Sequence, residues 1–265
     1  MKKLLVSILI ALAVVISPVA AFAANTPIID TANIENGTVT ISHKADARLK
    51  VIVSKDEQQV IYDLKNDGTA ETFPLQMGNG DYTVSVLQNV SGKQYRYIAS
   101  KAIKLDLAND NTVFLASVQN INWNDDMKAI MTAHEITKDL RTDSEKVQKV
   151  YEYVVSKIKY DYNKHSTLQS TYVPNIDNII TSGKGICYDY ASVFAAMLRS
   201  QGIPVKLVMG YTTNVNGYHA WNEVYDSETG KWITVDTTYD AEQKAAGRAY
   251  SMVKETAQYT KVYEF

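Results

Sequence analysis

The spacing of the apolar residues changes near residue 120, and this change limits the possible folds more than any other feature. Between residues 25 and 118, short β-branched and aromatic runs are separated by turn pairs such as Asn-Gly, Asp-Gly and Ser-Gly. Runs of this kind, alternating in period two, predict antiparallel strands joined by hairpins. Beyond residue 120 the apolar residues recur every three to four positions, as in amphipathic helices. We therefore predict two domains, with residues 24–118 forming the first and residues 119–265 the second.

The first domain is predicted to be an all-β sandwich of immunoglobulin-like type. Six apolar runs mark its strands, at residues 39–41, 49–53, 60–62, 82–87, 95–99 and 103–107. Roughly seven short strands in a segment of this length are typical of two packed antiparallel sheets. The acidic and amide residues of 65–71 and 107–114 could also be calcium ligands, but turn chemistry explains them better.

The second domain is predicted to mix helices with a sheet, which makes the fold class α+β. The pattern indicates helices at residues 122–140, from Thr142 onwards, and from Cys187 onwards. Thr142 begins a Thr-x-x-Glu capping box, which marks a helix start. Residues 160–184 show no sustained period and are predicted to form a loop. Strands are predicted at residues 205–212, 219–226 and 232–236.

The first residues of the chain predict export. Lys2 and Lys3 give a positive start, residues 4–16 are an apolar run, and Ala21-Phe22-Ala23 is a small-x-small cleavage pattern. These features are typical of a secretory signal peptide, here residues 1–23. No later stretch is apolar for about 18 residues, so we expect no membrane span in the mature chain. The protein is therefore expected to be secreted or associated with the cell envelope.

Composition excludes some partners. The formal net charge is −2, with 27 Lys and Arg against 29 Asp and Glu, and no basic cluster stands out. A nucleic-acid partner is therefore not expected, because such binding needs cations that neutralise phosphates. No His, Cys and carboxylate cluster has metal-ligand spacing, so we expect no metal and no cofactor.

The single cysteine, Cys187, is the first candidate for chemistry. A lone cysteine is often a small buried hydrophobe. Here Gly183 and Gly185 allow a tight turn just before it, which places its sulfur at a helix N-terminus. The helix dipole there favours the thiolate, which is the nucleophilic form.

A cysteine nucleophile needs a base and a group that orients the base. The candidates are the four histidines of the chain, His43, His134, His165 and His219. Only His219 begins a strand that is expected to run beside the Cys187 helix. Asp236 ends the next strand, and a four-residue hairpin loop makes the two strands neighbours. The spacing therefore predicts that Cys187, His219 and Asp236 meet.

Two stretches carry a resemblance to a known family. GKGICYDYASVFAAMLRSQGIPVKLVMGY, residues 183–211, and HAWNEVYDSETGKWITVDTTYD, residues 219–240, resemble the transglutaminase-like superfamily, relatives of the papain fold, in an exported bacterial form. The resemblance implies a papain- and transglutaminase-like catalytic domain. It implies that Cys187 is the nucleophile, His219 the general base and acid, and Asp236 the residue that orients the imidazole. The family usually has proline after the aspartate, where this chain has Thr237.

Other site residues are predicted less directly. The backbone N–H of Cys187 is one donor to an oxyanion, and we predict Tyr172 as the second. Tyr188 and Trp221 are candidate substrate contacts, although the residue type of Trp221 favours an aromatic core residue. Glu223 shares a strand face with His219, so it either hydrogen-bonds within the site or lies at the surface.

The resemblance implies a thiol enzyme that acts on protein or peptide amides through a Cys187 thioester. Water would resolve the thioester in a peptidase or deamidase, and an amine would resolve it in a transglutaminase. The alternative is a catalytically silent binding or scaffold module of the cell envelope, since family members that lost a catalytic residue serve as scaffolds. The intact Cys187, His219 and Asp236 set favours the enzyme.

Overall fold

The computed structural model describes residues 27–265, and the predicted signal peptide lies outside this range. The N-terminal part consists of seven strands: β1 (Ile29–Asp30), β2 (Thr38–Ile41), β3 (Leu49–Lys55), β4 (Gln58–Leu64), β5 (Glu71–Pro74), β6 (Gly80–Ser91) and β7 (Gln94–Leu105). They form two antiparallel sheets, with strand orders β1-β2-β5 and β4-β3-β6-β7. The part is therefore β-rich as predicted, while the immunoglobulin-like topology stays a prediction.

The predicted strands differ from the structure in two ways. The predicted strands 95–99 and 103–107 lie on one long strand, β7, which pairs with β6 and ends at Leu105. The two short strands β1 and β5 have no apolar run of their own, and pairing with β2 defines them. The residues considered as calcium ligands make turn bonds: Asp67 accepts from the Thr69 N–H, and Asn109 accepts from the Asn111 N–H.

The C-terminal part contains six helices: α1 (Lys128–Thr137), α2 (Asp143–Lys157), α3 (Tyr162–Ser166), α4 (Ile176–Ser182), α5 (Cys187–Arg199) and α6 (Thr237–Ala245). Its strands are β8 (Lys159–Tyr160), β9 (Lys184–Gly185), β10 (Val205–Thr212), β11 (Val215–Asp226), β12 (Lys231–Val235), β13 (Val253–Lys254) and β14 (Tyr259–Glu264). Five of these strands form a sheet in the order β13-β12-β11-β10-β14, and β8 pairs with β9. The fold is thus mixed, with helices packed against an antiparallel sheet.

Several predicted elements are confirmed at the residue level. Thr142 caps α2 and Glu145 reaches back to it, so the capping box is present. Helix α5 begins at Cys187, and β10 spans residues 205–212. The loop between β11 and β12 has four residues, 227–230. Each of these features depends on residues only a few positions apart, which is why the sequence reveals them.

The helix predicted at residues 122–140 is wrong in its bounds. Helix α1 is much shorter, because the residues before it form a turn in which Asn124 accepts from the Asp126 N–H. The helix starts where the N–H groups of Lys128 and Ala129 donate to the carboxylate of Asp177. A cap supplied from 49 residues away leaves no local signal.

The loop predicted at residues 160–184 contains two short helices. Asp161 caps α3 and Asn175 caps α4 with their side chains. Gly183 ends α4 with a φ of 62°, a left-handed conformation in which glycine has no Cβ penalty. Both helices span fewer than eight residues, too few to show a helical period in the sequence.

Helix α5 lies at the centre of the C-terminal part and is buried along almost its whole length. Its carboxyl end carries Arg199, which is 2% exposed. The guanidinium donates to the carbonyl oxygens of Ala116, Val205 and Phe265. One side chain thus joins the segment before α1, strand β10 and the residue that follows β14. Within residues 27–265, no helix is long and apolar enough to cross a lipid bilayer.

The two predicted domains share a hydrophobic core. Phe265 packs against Tyr62 of β4, with ring centroids 5.7 Å apart, and Gln119 Nε2 donates to the Asp63 carbonyl at 2.7 Å. Buried residues of both parts belong to one contiguous cluster. The boundary near residue 118 stays a prediction, and the part after it packs closely on the part before it.

We predict that Arg199→Met destabilises the protein by about 3 kcal/mol or more. The carbonyl oxygens of Ala116 and Val205 lose their side-chain donor, while that of Phe265 keeps the Leu207 N–H. Each buried polar group left unsatisfied costs about 1–3 kcal/mol. Chemical denaturation of both proteins measures the loss. The control is Arg248→Met, because Arg248 is exposed and bonds only to Gln243. Equal stability of the Arg199 variant and the wild type would contradict the bridging role.

Candidate active site

Cys187 is the first residue of α5, and the turn before it is held by Asp189. The Ile186 N–H donates to the Asp189 carboxylate at 2.8 Å, as in a capping box. A Cβ at Gly185 would lie 2.7 Å from the Asp189 Cβ, so only glycine fits there. Cys187 itself is partly exposed and has no disulfide partner. The local sequence therefore presents a free thiol at a helix N-terminus.

His219 lies in β11, opposite Gly210 of β10. The strand begins at Val215, four residues earlier than predicted, so His219 is inside the strand and not at its start. Its ring is stacked on Trp221, with centroids 6.3 Å apart. A Cβ at Gly210 would lie 2.1 Å from the Thr260 carbonyl oxygen, so glycine lets β14 approach closely beside the histidine.

Asp236 follows β12 directly and caps α6. Its Oδ1 accepts from the Tyr239 N–H at 3.0 Å, and its Oδ2 accepts from His219 Nε2 at 2.9 Å. The side chain is fully buried. The predicted strand 232–236 thus ends one residue earlier, and the residues after it form a helix that the sequence analysis missed. The cap on α6 fixes the carboxylate while the second oxygen holds the histidine.

The bond to Asp236 determines which nitrogen of His219 is free. Since Nε2 is bonded to the carboxylate, Nδ1 is the nitrogen left for the thiol of Cys187. Burial lowers the pKa of His219, but the charge and hydrogen bond of Asp236, helped by Cys187, outweigh it and raise this pKa to about 10. The three predicted residues therefore come together, with the imidazole held in its charged form at neutral pH.

Tyr259 of β14 is a site residue that sequence reasoning missed. Its hydroxyl donates to Asp236 Oδ2 at 3.1 Å and accepts from Asn214 Nδ2 at 3.3 Å. Burial and the nearby Asp236 charge raise the pKa of Tyr259, so the phenol keeps its proton and acts as a donor. Its ring packs on Trp221 at 5.0 Å. Tyr259 is 23 residues from Asp236, and no motif marks it.

A cavity of about 390 Å³ opens beside Cys187 and His219. Both Tyr172 and Tyr188 line it, as expected for residues that contact a substrate. The Tyr172 hydroxyl, however, donates to Asp189 Oδ1 at 2.5 Å and accepts from Lys164 Nζ at 2.6 Å. To serve an oxyanion it would have to leave Asp189, so this role stays a prediction.

The structure separates two other candidates from the cavity. Trp221 is 1% exposed and lies beneath His219, so its position fits the aromatic core role and not a substrate contact. Glu223 accepts from Lys261 Nζ at 2.8 Å and is not bonded to the three site residues. In the part of the chain that the structure describes, no group of three His, Cys, Asp or Glu side chains could hold a metal ion.

The geometry agrees with a comparison against protein families. The model of the transglutaminase-like superfamily matches residues 130–237. This segment belongs to that superfamily. It contains Cys187, His219 and Asp236, and it runs from α1 to the first residue of α6. The recognition made from residues 183–211 and 219–240 is thereby confirmed.

Individual relatives are more distant. Over 75 residues, the chain is 35% identical to a protein-glutamine gamma-glutamyltransferase of Pseudomonas aeruginosa, covering 24% of this chain and 11% of that protein. Over 187 residues, it is 25% identical to the kyphoscoliosis peptidase of Homo sapiens, covering 66% and 26%. The chain thus spans about a quarter or less of the length of these relatives. The solved periplasmic domain of TgpA from Pseudomonas aeruginosa is similar at 14% identity and a TM-score of 0.40, covering 82% of this chain and 94% of that one.

We predict that Asp236→Asn lowers the pKa of His219 from about 10 toward its ordinary value. The amide still accepts a hydrogen bond but carries no charge to stabilise the imidazolium. NMR titration of the histidine ring nitrogens measures the change. Asp226→Asn serves as the control, because Asp226 lies at the end of β11 and contacts only its own turn. If the pKa of His219 is unchanged in the Asp236 variant, the charge of Asp236 does not stabilise the imidazolium.

The same pKa shift gives a pH dependence of stability. Because the folded state holds the His219 proton more tightly than the unfolded chain, the stabilisation is fully present below about pH 6.5. It is lost as the pH rises from there to about 10. Denaturation of the wild type across this range should therefore show a decline that Asp236→Asn reduces.

We predict that Tyr259→Phe leaves the fold intact and raises the pKa of His219 further. Without the phenol, the Asp236 charge is shared with one donor fewer and attracts the imidazolium more strongly. The lost hydrogen bond should cost about 1 kcal/mol of stability. The same NMR titration tests it, with Tyr263→Phe on the same strand as control, since Tyr263 is 43% exposed. A His219 pKa that falls or stays constant would contradict the predicted role of the phenol as a donor that shares the Asp236 charge.

Proposed function

We propose that this protein is an exported thiol enzyme that acts on protein or peptide amides through a thioester on Cys187. The observation that carries the proposal is the 2.9 Å bond between His219 Nε2 and Asp236 Oδ2, which leaves Nδ1 for the thiol. This arrangement of nucleophile, imidazole and orienting carboxylate is what acyl transfer by cysteine requires. Membership of residues 130–237 in the transglutaminase-like superfamily supports it.

The proposed reaction has two halves. The Cys187 thiolate attacks the carbonyl carbon of an amide, and the His219 imidazolium gives its proton to the nitrogen as the carbon–nitrogen bond breaks. Ammonia or an amine leaves, and a thioester remains on Cys187. In the second half, His219 takes a proton from water or from an amine, which attacks the thioester and releases the thiolate.

The start of α5 supplies donors for the oxyanion. The first intrahelical bond runs from the Tyr190 N–H to the Ile186 carbonyl. The N–H groups of Cys187 and Tyr188 precede it, and such groups at a helix start have no acceptor within the helix. These N–H groups lie at the positive end of the helix dipole and can stabilise a negative oxygen. Tyr172 remains the proposed side-chain donor.

We favour water over an amine as the acceptor. An amine acceptor must compete with water at roughly 55 M, so the site must bind and orient it. No carboxylate lines the described cavity, and Glu223, the one candidate, is engaged by Lys261. By their names, the relatives include both a glutamyltransferase and a peptidase, so both outcomes occur among proteins similar to this one.

Export is part of the proposal. The positive, apolar and small-x-small pattern of residues 1–23 supports secretion or association with the cell envelope. The N-terminal sheets would then be available to bind an envelope partner, which is the role the silent-module alternative assigns to the whole chain.

The test supplies a glutamine-containing protein and a labelled primary amine, and follows ammonia and label together. Ammonia without label is expected from the wild type, and no ammonia from Cys187→Ala, because no other described thiol exists to form the thioester. The variant should keep the wild-type melting temperature. Stoichiometric label would establish transamidation instead. Ammonia release by Cys187→Ala would refute the thioester. Neither signal from the wild type, together with no cleavage of the protein's peptide bonds, would favour the binding module.

A further inference from the structure

The cavity beside Cys187 is lined mainly by apolar and aromatic side chains. These are Leu168, Tyr172, Ile186, Tyr188, Met209 and Tyr218. Leu168 and Tyr218 lie at the mouth of the cavity and are exposed although their side chains are large and apolar or aromatic. Their exposed fractions are 44% and 47%. Tyr218 also packs edge-on against Tyr211, itself 54% exposed, with ring centroids 5.5 Å apart. An exposed apolar group of this kind, next to a nucleophile, marks a binding surface.

Apart from the histidines His165 and His219 and the thiol of Cys187, charge is kept out of this cavity. Its lining contains no Asp, Glu, Lys or Arg among the described residues. Lys164 is the cation of the neighbouring wall, and its Nζ lies 2.5 Å from Asp189 Oδ2 and 4.2 Å from the Tyr172 ring centroid. The ammonium is therefore neutralised behind the wall. Away from the His219 imidazolium, a charged substrate side chain in the cavity would lose its hydration without gaining a partner.

The wall itself is anchored to the nucleophile's helix. Asp189, on the first turn of α5, accepts from Lys164 and from Tyr172, which lie on either side of Leu168 in the chain. Tyr172 also packs edge-on against Tyr188, with ring centroids 6.2 Å apart. These bonds tie the segment from 164 to 172 to the residues flanking Cys187. The apolar surface is thus held in place before a substrate arrives, which favours binding.

We infer that the amide attacked by Cys187 is flanked by a large apolar side chain, aromatic or aliphatic, that binds in this cavity against Leu168 and Tyr218. The inference rests on the proposed function for the identity of the reaction. It adds the substrate class: peptide segments with an uncharged, apolar residue next to the amide. Peptides with Asp, Glu, Lys or Arg at that position are poor substrates.

Alkylation of Cys187 tests the cavity without any turnover. The probes are iodoacetamide and N-benzyl iodoacetamide, and each rate is divided by the rate of the same reagent with N-acetylcysteine. We expect the benzyl reagent to be favoured by about tenfold, the scale on which apolar pockets discriminate. Equal normalised rates would overturn the inference, because the aromatic group would then gain nothing from the cavity.

Variants at Leu168 locate the effect. Leu168→Asp should abolish the benzyl preference, and Leu168→Met should retain it, because methionine replaces the apolar contact and aspartate does not. The matched control is Ile61→Asp on β4, since Ile61 is 50% exposed and outside the cavity lining. Loss of the preference in the Ile61 variant, or its survival in Leu168→Asp with the fold intact by melting temperature, would contradict the assignment.

Peptide turnover separates this inference from the proposed function. Glutamine peptides that carry Phe, Leu, Asp or Lys beside the glutamine are compared by kcat/KM. If all four peptides are turned over with equal kcat/KM, the proposed reaction is supported and the apolar specificity is refuted. If alkylation shows the benzyl preference but no peptide is turned over, apolar binding in the cavity is supported and the proposed reaction is refuted.

Discussion

The buried carboxylate of Asp236 is the interaction on which the site depends. One oxygen caps α6 through the Tyr239 N–H, and the other accepts from both His219 and Tyr259. A carboxylate removed from water is costly unless every lone pair that faces the protein finds a donor. Here the donors come from a strand, a helix start and a second strand. The charge that orients the imidazole is therefore also what joins these three elements.

The close approach of β14 follows from a single glycine. Gly210 leaves room for the Thr260 carbonyl oxygen, and β14 then pairs with β10 and brings Tyr259 against Trp221. Without that approach, Asp236 would lose the phenol, and Trp221, which stacks on His219, would lose its contact with Tyr259. The same strand leads to Phe265, whose carbonyl accepts from Arg199 and whose ring contacts Tyr62. The packing of the N-terminal sheets and the geometry of the site are thus physically connected.

Asp189 plays the corresponding part beside Cys187. It shapes the turn before Cys187 and anchors the wall of the cavity through Lys164 and Tyr172. Two buried carboxylates, one behind the histidine and one beneath the cysteine, therefore fix His219 and Cys187 independently. In the proposed reaction, rigid placement of this kind would lower the cost of reaching the transition state, because little reorganisation is needed when the substrate binds.

The sequence by itself determined the features that depend on neighbouring residues. The capping box at Thr142, the helix start at Cys187, the four-residue hairpin and the family of residues 130–237 could all be predicted, since their signals lie within short stretches. Only the tertiary structure decided three other features. These are the cap that Asp177 places on the start of α1, the contact of Tyr259 with Asp236, and the merger of two predicted strands into β7. The first two join residues more than 20 positions apart, and the third is decided by pairing with β6. Such contacts follow from how the strands and helices pack, which no local pattern encodes.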